Sequence, residues 1–179
     1  MRRLLLPLLA AAALAVPAAA SAHFGFGGLA KLSGTGTTFA ASSATASGAA
    51  SSDKLGTGTF SLSLSTNLAA VTTHTGEHGA ISCAPSTGTL TLTGATSTNN
   101  ASVAVTGKEC TFTKAGGTVV MRAFFGRGTV TGAGTLAALS GKTARVLVMQ
   151  KGSDSSVRGF VHVRSAFFSQ SQDSDNDGD

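Results

Sequence analysis

The chain has 179 residues, 42% of them hydrophobic but only 12% charged, with ten phenylalanines, 23 glycines and neither Trp nor Tyr. So little charge argues against a disordered polyelectrolyte. Cations scattered singly from Lys31 to Arg164, without a basic run or interleaved aromatics, argue against nucleic acid as a partner. With residues 1–22 set aside, Leu, Ile, Val and Phe make up 33 of 157 residues, about 21%, so one folded domain with a thin core is expected.

Residues 1–22 read as a secretory signal peptide. Met1-Arg2-Arg3 precedes an apolar run from Leu4 to Val16, and Ala20-Ser21-Ala22 forms a small-x-small cleavage site. The run is too short to remain as a membrane anchor, so no transmembrane segment is expected in the mature chain. The expected location is extracellular, periplasmic or at the cell envelope, with His23 as the first mature residue. The body, residues 23–168, carries eleven cations against four acids, a net charge of +7 that favours an anionic partner such as an envelope polymer. Residues 169–179 are polar and acidic and are expected to be a disordered tail.

From Leu32 onward the hydrophobic period is two. Phe60, Leu62 and Leu64 alternate with Ser61, Ser63 and Ser65, and Leu90 and Leu92 alternate with Thr89, Thr91 and Thr93. Val103 and Val105, Cys110 and Phe112, and Val146 and Val148 repeat the pattern, and Val157 to Phe168 reads as a last long strand. On that strand Phe160, His162 and Arg164 share one face and Val161 and Val163 the other. Residues 40–52 are Ala, Ser, Thr and Gly and read as a linker or a small-residue edge strand. Turn signals fall at Gly56-Thr57-Gly58, Thr98-Asn99-Asn100, Gly116-Gly117, Gly126-Arg127-Gly128, Gly132-Ala133-Gly134 and Lys151-Gly152-Ser153-Asp154. About ten short strands without a helical stretch predict an all-β fold, a single antiparallel sandwich or barrel-like domain.

Cys83 and Cys110 are the only cysteines, and in an exported chain they are expected to form one structural disulfide closing a loop of 28 residues. His74-Thr75-Gly76-Glu77-His78 matches the H-x-x-E-H string of inverted zinc proteases, but that chemistry needs a helix, and the surrounding Gly and Thr predict an exposed loop. Thr-x-Thr units begin at 35, 57, 89, 111 and 129, a spacing too irregular for a solenoid.

Two metal readings follow from donor chemistry. The amine and ring of a mature N-terminal His23, joined by His74, His78 or His162, would give a nitrogen site suited to copper. Exported β-sandwich copper proteins, such as polysaccharide monooxygenases and periplasmic copper carriers, use such a residue, and the resemblance is confined to His23 and the export signal. Asp173, Asp175 and Asp177 match the first half of a calcium loop whose twelfth position is missing. The leading expectation is a secreted, non-enzymatic, Thr-rich domain with a structural or adhesive role and no cofactor. Copper binding at His23 and a small barrel enzyme with a polar cavity are the alternatives.

Overall fold

The computed structural model describes residues 28–152 and 154–163. Residues 1–27, with His23, and residues 164–179, with Asp173, Asp175 and Asp177, lie outside the described residues, as do the readings placed on them. Nine strands follow in order: β1 (Gly28–Gly36), β2 (Ser43–Ser52), β3 (Gly56–Thr66), β4 (Thr72–Gly76), β5 (Gly79–Thr93), β6 (Asn100–Lys114), β7 (Val119–Gly132), β8 (Thr143–Lys151) and β9 (Ser156–Val163). All pairings are antiparallel. Eight strands close into a barrel, β1-β2-β3-β5-β6-β7-β8-β9, because β9 returns to β1 and β3 pairs with β5. The fold is therefore a barrel rather than a sandwich, and β4 is a ninth, outer strand hydrogen-bonded to the start of β5.

Alternation explains the wall. Phe60, Leu62 and Leu64 of β3, Leu90 and Leu92 of β5, and Val146 and Val148 of β8 are buried, while the serines and threonines between the β3 and β5 positions face solvent. Eight strands enclose an interior just wide enough for side chains to fill. The fill works by pairing sizes: β2 contributes Ala44 and Ala46 opposite Leu64 and Leu62 of β3, and Ala50 opposite Leu32 of β1. Residues 43–52 therefore form an internal strand of the closed sheet, where the small side chains make room for large ones, rather than a linker or an edge. Apolar groups inside and hydroxyls outside is the reverse of a membrane-spanning barrel. Among the described residues no helix is long and apolar enough to cross a membrane.

Two expectations change. Gly126-Arg127-Gly128 is not a turn but the middle of β7. Gly126 faces inward, and the ring of Phe124 occupies the space its Cβ would need. Gly34 and Gly48 oppose each other on β1 and β2, and a Cβ on either would overlap a carbonyl of the other strand. These glycines bend the wall sharply rather than reverse the chain. The second change concerns parity along β6. Val103, Val105 and Glu109 face inward, which sends Cys110 and Phe112 to the outer side, so Phe112 is only half-buried and meets the ring of Phe125 edge-on at 6.4 Å.

Both mouths are closed. Leu55 from the β2–β3 turn, with Leu136 and Leu139 from a 3-10 turn at Gly134–Leu139, joins the core at one end. Phe39, from the β1–β2 loop, is fully buried at the other. Cys83 and Cys110 oppose each other across β5 and β6 and form the expected disulfide, with Cα atoms 4.1 Å apart.

Candidate functional site

Beneath Phe39 lies the one buried polar layer among the described residues: Thr66, Ser86, Glu109 and Gln150. The Phe39 N–H donates to Gln150 Oε1 at 3.2 Å, and the Ala40 N–H donates to Glu109 Oε2. Thr66 Oγ1 donates to Glu109 Oε1 at 2.7 Å and lies 2.8 Å from Ser86 Oγ. Glu109 is 0% exposed, and desolvation pushes its carboxyl above the ordinary 4.5, against smaller opposing pulls from Thr66 and Ala40. A protonated Glu109 also fits, since its O–H can turn to Thr66 while the Thr66 hydroxyl turns to Ser86. The layer is an anchor for the plug loop, sealed from solvent, and it offers no open position to a substrate.

A raised acid binds its proton more tightly in the folded state, so stability is greatest below the unfolded value and falls as pH rises from 4.5 through the folded value. The expected slope is negative and at most about 1.4 kcal/mol per pH unit. Glu109→Gln, which keeps both contacts in neutral form, is expected to abolish that fall and to equal or exceed the native chain at neutral pH. Urea midpoints measured from pH 4 to 8 check this; a fall that persists in Glu109→Gln would remove Glu109 as its source.

The histidines separate. His74 sits on β4 and His78 in the β4–β5 turn, both exposed, so the H-x-x-E-H string is the tip of a hairpin, partly strand, where its residues cannot stand one helical turn apart. His162 lies on β9 at the opposite end of the barrel, opposite Gly28, where β1 begins. Among the described residues no three His, Cys, Asp or Glu side chains group as a metal site.

The feature that sequence reasoning missed is on the outer wall. Register aligns Lys108, Phe125, Leu147, Phe160 and Lys31 into one row across β6, β7, β8, β9 and β1. Phe125 and Phe160 are 43% and 45% exposed, with Leu147 half-buried between them. The adjacent row runs Arg127, Arg145, His162 across β7, β8 and β9. The wall lines a half-open hollow of about 1430 Å³ that also takes in the β2–β3 turn, and Asp53 is the only acid lining it among the described residues. Inward glycines at Gly107, Gly126 and Gly159 underlie the hollow. Lys31, Lys108, Arg127 and Arg145, scattered along the chain, are brought together by strand register, and only the pairing of Phe160 with His162 on one strand face hinted at it.

No family of known sequences, no curated protein and no solved structure matches this chain. The fold and this wall are therefore what the functional reading rests on.

Proposed function

We propose that this chain is exported and acts as a non-enzymatic binding barrel, holding a partner on its outer surface at the cell envelope or in the medium. The observation that carries the reading is a core filled from mouth to mouth, beside an outer wall that gathers cations around the exposed rings of Phe125 and Phe160. A filled core leaves the chain's recognition to its surface, and an exposed apolar stripe rimmed by charge is the usual mark of an interaction site. Export is supported by the leader-like residues 1–22 and by the disulfide, which persists in oxidising compartments.

Fractionation of cells producing the full chain tests both parts. The expected result is material beginning at His23, without a thiol that reacts before reduction, cosedimenting with isolated envelopes. Uncleaved, thiol-reactive protein in the cytosol would overturn export. Mature protein that never sediments with envelopes and captures nothing from the medium would overturn the binding role.

A further inference from the structure

The outer wall identifies the chemistry of the partner. We propose that the concave face of β7, β8 and β9 binds a linear anionic glycan, a sugar chain bearing a carboxylate or phosphate on successive units, laid across the strands. This deepens the binding role proposed above and rests on it.

Four observations converge. First, the hollow, about 1430 Å³, is larger than the clefts of roughly 300–1,000 Å³ that hold small ligands, which favours an extended occupant. Second, the row from Lys108 to Lys31 crosses four interstrand steps of about 4.8 Å, or roughly 19 Å, with apolar groups at its centre and a cation at each end. Phe125 and Phe160 offer ring surface to the C–H faces of sugars, and the cations meet their charges. Third, Arg127 directly opposes Arg145, and like charges opposite each other destabilise a sheet. A fold that keeps such a pair in a wall lined, among the described residues, by one acid, Asp53, is arranged to receive negative charge. Fourth, Phe125, Leu147 and Phe160 line the hollow together with Lys31, Arg127 and Arg145, so apolar and cationic groups face the same occupant.

The same charge pattern disfavours a second copy as occupant. A two-fold pairing of these faces would set two surfaces carrying Arg127, Arg145 and Lys31 against each other, with Asp53 the one acid among the described lining residues to offset them.

The test titrates mature protein with polygalacturonate oligomers, with a dextran phosphorylated along its chain, and with methyl-esterified polygalacturonate as the uncharged chain of the same shape. Binding to either anionic chain, and at least tenfold weaker binding to the ester, is expected; the stronger of the two tells carboxylate from phosphate recognition. Arg127→Gln with Arg145→Gln should weaken binding at least tenfold while leaving the urea midpoint unchanged or higher, because a like-charge pair is relieved. Phe125→Ser with Phe160→Ser should weaken it comparably at constant ionic strength.

Equal affinity for the ester, or undiminished binding by both double variants, would overturn the proposal. So would tighter binding to anionic phosphatidylglycerol vesicles or to a single-stranded oligonucleotide, or a dimer dispersed by the Phe125 and Phe160 changes. Envelope retention that survives both double variants would overturn this face while leaving the broader binding role standing.

Discussion

Phe124→Ala is expected to lower the stability of the barrel by about 3–5 kcal/mol, the usual cost of removing a fully buried ring. Phe124 is 0% exposed and its ring lies over Gly126, two residues along the same inward face. Gly126→Ala alone is expected to cost about 1–3 kcal/mol, since its methyl overlaps that ring. The informative variant is the double one. With the ring gone, the methyl at 126 enters space the ring has left, so the loss in the double variant should fall short of the sum of the two single losses by about 0.5–3 kcal/mol. Urea unfolding of the four proteins measures the coupling. Additivity within about 0.5 kcal/mol would show that ring and glycine are independent, and the account of the inward bend at β7 would fail with it.

That pair also marks where sequence reading stops. The all-β class, the disulfide and the inward set Phe60, Leu62, Leu64, Leu90, Leu92, Val103 and Val105 were legible, because a period of two is a local property of each strand. Closure was not. Whether β9 returns to β1 depends on cumulative twist and bend, and the inward glycines that supply the bend look like turn residues when read one segment at a time. Gly126-Arg127-Gly128 is the clearest case, since in sequence it is indistinguishable from a loop.

The same locality hid the functional surface. Arg127 and Arg145 are far apart in sequence and meet only through the register of β7 with β8. Phe125, Leu147 and Phe160 likewise come from three strands. Glu109 was invisible for a different reason. A single carboxylate in a Thr-rich strand reads as solvent-facing, and only the parity of β6, continued from Val103 and Val105, turns it inward onto the plug loop.

Removing the disulfide should produce the other large effect, and its location says how the loss will be distributed. Along β5, residues 86–93 pair with β3, whereas residues 79–83 pair with β4. The exchange of partners falls at Ala84 and Pro85, where proline has no N–H to offer and its carbonyl accepts from the Asn67 N–H at 2.9 Å. Beyond that point the start of β5 runs as an extension between the exposed strand β4 and β6, which itself stays paired with β7 as far as Thr113. Cys83 and Cys110 tie the extension together just past the point of departure.

The loop-entropy model gives about 3.5 kcal/mol for 28 closed residues, within the usual 2–5 kcal/mol for small exported domains. Against a net stability of about 5–15 kcal/mol, that is a large share for a thin core. Cys83→Ser with Cys110→Ser is therefore expected to lower the urea midpoint strongly, and reduction of the native chain should reproduce it. Hydrogen exchange adds the local signature. Amides of residues 72–83 should lose protection first, while those of residues 86–93, flanked by β3 and β6, should retain theirs until global unfolding. Equal midpoints for oxidised and reduced protein would mean that the extension holds by its backbone ladder alone. Uniform loss of protection along β5 would mean that barrel and extension open as a single unit.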